Sequence, residues 1–67
     1  MALSARNQLP GTVTDIKLGT VVAEVVVKVG DNEVASVITR SSVERLGLKV
    51  GDQVMAVIKA TEVMISK

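Results

Sequence analysis

The 67-residue chain contains no cysteine, no histidine, no aromatic residue and only one proline. Each absence removes a class of chemistry. Without cysteine there is no disulfide, no thiolate zinc site and no thiol nucleophile. Without histidine there is no imidazole base and no ordinary transition-metal site. Without Phe, Tyr or Trp there are no rings on which nucleic-acid bases could stack. Long apolar runs are missing too. Runs such as Val21–Ala23 and Val25–Val27 fall far short of the roughly 18 residues of a membrane span. Met1–Arg6 carries no apolar stretch of signal-peptide length. These absences lead to the expectation of a soluble, cytoplasmic protein. Eight basic residues face seven acidic ones, for a net charge of +1, so there is no global attraction to nucleic acid or anionic lipid.

What the chain does have is β-branched. Val, Ile and Thr together make up 23 of its 67 residues, and such side chains favour strands. The length predicts one domain over residues 1–67. A monomer of this size buries only about 60% of its unfolded surface. Small domains add disulfides, a metal or partner subunits. With the first two lacking their usual ligands, self-association is the remedy that remains.

Pro10-Gly11, Gly19, Gly30-Asp31-Asn32, Gly47 and Gly51-Asp52 punctuate the chain. Gly11–Leu18 reads as a first strand whose apolar phase slips between Val13 and Ile16, the mark of a bulge or sharp bend. Thr20–Val29 reads as a second strand with Val21, Ala23, Val25, Val27 and Val29 on one face. A tight turn then joins it to a third strand, Glu33–Arg40, as a hairpin. Ser41-Ser42-Val43-Glu44 fits a capping box, with Ser41 capping a short helix and Glu44 answering it. Gly47 is placed to stop that helix. Gln53–Lys59 and Glu62–Ile65 read as fourth and fifth strands. Three strands, a short helix and two strands give an all-β class. The expected architecture is a small five-stranded, OB-fold-like Greek-key barrel with one helix between strands three and four.

Several strands are apolar on both faces. Val22 and Val26 lie opposite the main stripe of strand two, and Met55 and Met64 oppose the inward sets of the last strands. A lone barrel needs one apolar face per strand, so the second face predicts subunit contacts in a closed homo-oligomer.

The seven acids are scattered, with no acid/base couple and no calcium-like cluster, and no phosphate-binding glycine loop is present. The chain therefore reads as a binding protein and not as an enzyme. An OB-type interaction module for nucleic acid or a protein partner is the alternative. The missing rings and balanced charge oppose its nucleic-acid form. Three segments are rich in groups that suit an anion: Ser4-Ala5-Arg6-Asn7, Thr39-Arg40-Ser41-Ser42 and Lys59-Ala60-Thr61. They offer hydroxyls, cations and backbone N–H groups.

At these residues the chain resembles a known family. Ser4-Ala5-Arg6-Asn7-Gln8-Leu9, Thr39-x-x-Ser42 followed by Val43–Leu48, and Val57-Ile58-Lys59-Ala60-Thr61 look like the Mop family of molybdenum-pterin-binding proteins, or molbindins. The chain also resembles the related domain of molybdate-responsive regulators and molybdate-transporter ATPases. The resemblance implies an OB-fold subunit in a homohexamer, a trimer of dimers, that takes molybdate or its analogue tungstate and no organic cofactor. It implies that Ser4 and Arg6 reach a site between subunits. Thr39 and Ser42 would supply donors there, and Lys59 with Ala60 and Thr61 would complete it. No side chain would bind a metal cation directly. A second class of site near the threefold axis is assigned to Gly19 and Thr20. Storage or homeostasis of the oxyanion is the implied role, with no nucleic acid or membrane partner.

Overall fold

A computed structural model describes residues 3–67. Met1 and Ala2, part of the segment read above for a leader, lie outside the described residues. The elements are strands β1 (Asn7–Leu18), β2 (Val22–Val29) and β3 (Asn32–Thr39), helix α1 (Arg40–Leu46) and strand β4 (Gln53–Ile58). They form one antiparallel sheet in the order β3-β2-β1-β4. The result is a small, mostly-β domain with its helix between strands three and four. No described helix is long and apolar enough to cross a membrane.

β1 organises the sheet. Its first half, Asn7–Thr12, pairs with β4, and its second half, Thr12–Leu18, pairs with β2. It begins four residues before the expected start at Gly11. Pro10 does not end the strand, because it sits opposite Met55 in the half with one neighbour. The missing N–H can be tolerated there. The expected irregularity is present: the register shifts between Val13 and Asp15, leaving Thr14 as the extra residue. Gly11 marks a close approach. A Cβ there would lie 2.6 Å from the Lys28 carbonyl oxygen and 2.6 Å from Val27 Cγ1. At the bend, Val13 donates to the Asp52 carbonyl (2.9 Å) and accepts from Gly51 N–H (2.8 Å). The turn ahead of β4 is thereby fastened to β1.

The core is small. Val13, Ala23, Val25, Val27 and Val43 are buried, with Ile16, Val29, Ile38, Leu48 and Val54 half-buried around them. The stripe read on strand two thus faces inward over Ala23–Val27. Val21, which precedes the strand, is 71% exposed. Each fully buried valine contributes about 1.5–3 kcal/mol. Val43 brings α1 into this cluster.

The helix starts two residues earlier than the capping pattern predicts, and its cap is Thr39, not Ser41. Thr39 is still extended (φ −70°, ψ 149°), and its Oγ1 accepts from Ser42 N–H at 3.1 Å. Ser41 is already inside the helix. Glu44 does not answer the cap. It pairs with Arg40 Nε at 3.0 Å, an exposed i,i+4 contact of about 0.3–0.5 kcal/mol. Gly47 ends the helix as expected, in the left-handed region at φ 61°. Gly47 N–H bonds the Glu44 carbonyl and Leu48 N–H the Val43 carbonyl, each at 3.1 Å. These two bonds form a Schellman motif.

The fifth strand does not form in the single chain. After β4, Ala60–Glu62 makes a 3-10 turn, with Glu62 N–H bonded to the Lys59 carbonyl at 2.9 Å. Residues 63–65 join no described strand. Met64 and Ile65 are therefore 92% and 89% exposed. The sheet also curls. Val34 and Ile38 of β3, Val54 and Ile58 of β4, and the buried Val25 and Val27 line one groove of about 780 Å³. Both edge strands border it, so the four-stranded sheet encloses an apolar groove that is open between β3 and β4.

Candidate functional site

The sequence-derived candidates fall into two groups at opposite ends of β1. The first lies where β1 begins and β4 ends. Asn7 pairs with Ile58, so Arg6 and Lys59 occupy neighbouring positions just beyond that rung. Ser4, Arg6, Lys59, Ala60 and Thr61 are all exposed. Gln8 shapes the approach to the strand: its N–H donates to the Arg6 carbonyl at 3.0 Å and its Nε2 to the Ala5 carbonyl at 2.7 Å. This end therefore gathers two cations, two hydroxyls and the backbone groups of the 3-10 turn.

The second group lies where β1 ends, β2 begins and β3 passes into α1. Thr39 pairs with Val22 at this end of the sheet. Arg40 ties the parts together. Its N–H donates to the Val21 carbonyl at 2.8 Å, and its Nη1 reaches the Gly19 carbonyl at 3.4 Å. Gly19 N–H closes the β1–β2 turn on the Val22 carbonyl at 2.8 Å. A Cβ at Gly19 would come within 2.7 Å of that same oxygen, so the turn requires glycine. Thr20, Val21, Thr39, Arg40, Ser41 and Glu44 line a shallow hollow here. The residues assigned to two separate sites, Gly19-Thr20 and Thr39/Ser42, are thus brought to one place.

A hydroxyl cluster sits beside the hollow. Thr39 Oγ1 donates to Ser42 Oγ at 2.8 Å and lies 3.3 Å from Ser41 Oγ. Arg45 Nη2 also donates to Ser42 Oγ, at 3.1 Å. Arg40 and Arg45 are outside the set assigned from sequence. The signal for Arg45 is its i,i+3 spacing from Ser42, which puts both on one helical face.

β1 has 12 residues, so its two ends are separated by about 36 Å of strand at roughly 3.3 Å per step. Among the described residues no hydrogen bond joins the two groups. The described residues hold no cluster of three or more His, Cys, Asp or Glu suited to a metal ion. What the two ends offer is N–H and O–H donation and positive charge, the complement of an oxyanion.

Comparison with known proteins agrees with this chemistry. A family model described as the TOBE domain matches residues 3–65. Molybdenum-pterin-binding protein 1 of Clostridium pasteurianum is 52% identical over 66 residues, covering 97% of each chain. The solved structure of a molybdate-binding protein from Sporomusa ovata superimposes with a TM-score of 0.95 at 43% identity, covering all of both chains. The cytoplasmic molybdate-binding protein ModG, solved with molybdate bound, gives a TM-score of 0.84 at 48% identity, over 90% of this chain and 43% of that one. The chain belongs to the TOBE domain family, as a homologue of the Mop molybdenum-pterin-binding proteins.

Proposed function

We propose that this protein binds molybdate, with tungstate as a close analogue, in sites shared between copies of the chain. It holds the oxyanion as a cytoplasmic store and catalyses no reaction. The observation that carries this reading is the division of the donors into two exposed groups at opposite ends of β1. A tetrahedral dianion accepts many hydrogen bonds and is costly to desolvate unless it is surrounded. Either group alone is an open surface. Ser4, Arg6, Lys59, Ala60 and Thr61 from one copy, set against Thr39 and Ser42 of another, would enclose it. Gly19 and Thr20, in the turn beside Thr39, belong to the same end and extend the site or form a second one. The molybdenum-pterin-binding and molybdate-binding proteins that it resembles support molybdate as the ligand.

Assembly also accounts for the unformed strand. The groove between β3 and β4 has the apolar lining of an unfinished barrel. The exposed Val63–Ile65 segment has the apolar content of the missing fifth strand. A tail supplied by a second copy would close each barrel and complete the five-stranded OB form. A separate apolar surface, with Val22 50% and Val37 67% exposed on β2 and β3, provides a further contact. Two distinct contacts favour a closed assembly larger than a dimer, and a hexamer built as a trimer of dimers satisfies both.

Native mass spectrometry with and without molybdate reads subunit number and bound anions together. A hexamer that gains mass in steps of the oxyanion is expected. Calorimetric titration with molybdate, tungstate and sulfate then ranks the ligands. No heat with molybdate, or equal affinity for sulfate, overturns the reading.

A further inference from the structure

We propose that Arg45 is a positioning residue that turns the Ser42 hydroxyl into a donor only, and so restricts the ligand to fully deprotonated tetrahedral dianions. This rests on the reading of Ser42 as an oxyanion donor. The hydrogen bonds around Ser42 fit one consistent assignment of protons. Thr39 Oγ1 accepts from Ser42 N–H at 3.1 Å and sends its own proton to Ser42 Oγ at 2.8 Å. The 3.3 Å contact between Thr39 Oγ1 and Ser41 Oγ must then be donated by Ser41. Arg45 Nη2 adds a second donor to Ser42 Oγ at 3.1 Å. A hydroxyl oxygen has two lone pairs and one proton. Both lone pairs on Ser42 Oγ are filled, and among the described residues its proton has no acceptor.

The arrangement is not reversible. Guanidinium has no acceptor site and stays charged throughout the working pH range. Ser42 can therefore donate outward but cannot accept. Molybdate, tungstate and sulfate present four oxygens without a proton at neutral pH. Phosphate and arsenate keep one or two protons at neutral pH, and an O–H facing a group that only donates leaves two donors opposed. Sites built around committed donors reject such ligands strongly, because the mismatched groups stay unpaired. Substituting Arg45 opens one lone pair, and Ser42 can then turn to accept.

The test is calorimetric titration of the assembled protein with molybdate, and with phosphate in direct and competition formats. The variants are Arg45→Met, Arg45→Lys, Ser42→Ala and the double variant Ser42→Ala/Arg45→Met, each checked for subunit number and thermal unfolding. Arg45 is exposed, so folding is expected to survive. Arg45→Met is expected to weaken molybdate binding about tenfold and to narrow the preference for molybdate over phosphate. Arg45→Lys keeps the preference, and the double variant binds like Ser42→Ala. Two results overturn the proposal while leaving molybdate binding intact. One is an unchanged molybdate-to-phosphate preference in Arg45→Met. The other is a double variant weaker than Ser42→Ala by the full factor seen for Arg45→Met, which would make Arg45 a general charge contribution. A wild-type protein that takes up no molybdate overturns the binding function itself.

Discussion

Asn7 pairs with Ile58 at the outermost rung of the β1–β4 ladder, and this one pairing brings Arg6 and Lys59 to adjacent positions 53 residues apart in sequence. The backbone sets two cationic residues at adjacent positions. Their repulsion is small in water, but a dianion placed between them removes it and gains charge-assisted hydrogen bonds. Arg6→Ala and Lys59→Ala are each expected to weaken molybdate binding by about 1.5–3 kcal/mol, roughly 10- to 100-fold. Both side chains are exposed, so thermal unfolding without ligand should hardly move. Titration calorimetry on both variants decides the matter, and wild-type affinity in both would remove this end of the sheet from the site.

Thr39 has two tasks that substitution can separate. Its hydroxyl caps α1 and feeds the proton chain to Ser42. Thr39→Ala removes both and is expected to cost about 0.5–2 kcal/mol of stability, or about 4–8 °C in Tm per kcal/mol. Thr39→Asp keeps a cap but places a carboxylate where an anion should bind. It is expected to unfold near the wild-type temperature and to lose molybdate binding. If Thr39→Asp binds molybdate as well as wild type does, Thr39 serves the helix alone.

Gly11 tests the bend. Alanine there would force a methyl group to within 2.6 Å of the Lys28 carbonyl oxygen, so β1 and β2 must separate. A loss of about 1–3 kcal/mol is expected from urea unfolding. Gly30→Ala is the control. Its φ of 59° is unfavourable for alanine, but nothing lies within 4 Å, so about 1 kcal/mol is expected. A smaller loss at Gly11 than at Gly30 would show that the close approach is not sustained in solution.

Local features of the fold were legible because short-range chemistry determines them. The slip between Val13 and Ile16 marks the bulge, the Gly30-Asp31-Asn32 turn sets the hairpin, and Gly47 adopts the left-handed conformation that ends α1. The early part of β1 was hidden because Pro10 reads as punctuation. Only the one-sided pairing with β4 makes it compatible with a strand. The capping pattern misled by two residues, since Thr39 and Ser41 both carry hydroxyls and only backbone conformation separates them. The grouping of Arg6 with Lys59, and of Gly19 with Thr39, depends on pairings between residues distant in sequence. The apolar residues of Glu62–Ile65 read as a fifth strand, but in the single chain Ala60–Glu62 form a 3-10 turn and residues 63–65 join no strand, because strand formation needs a pairing edge that composition does not show.

Ile65 carries the remaining prediction. It is 89% exposed, next to Met64 at 92%, and on the proposed assembly it is covered by the open groove of another copy. Ile65→Asp would put a charge among Val25, Val27, Val34 and Val54, where an unpaired carboxylate costs several kcal/mol. In the isolated chain the same substitution sits in water and costs almost nothing. The expected outcome is therefore specific to assembly. Native mass spectrometry should show loss of the oligomer. Molybdate affinity should fall with it, because each site draws donors from two copies. Met64→Asp supplies the comparison, since alternation along a strand points it away from the groove when Ile65 points in. It is expected to disturb assembly less. A protein that keeps its wild-type subunit number and affinity with aspartate at 65 would leave the tail outside the barrel and the site within one chain.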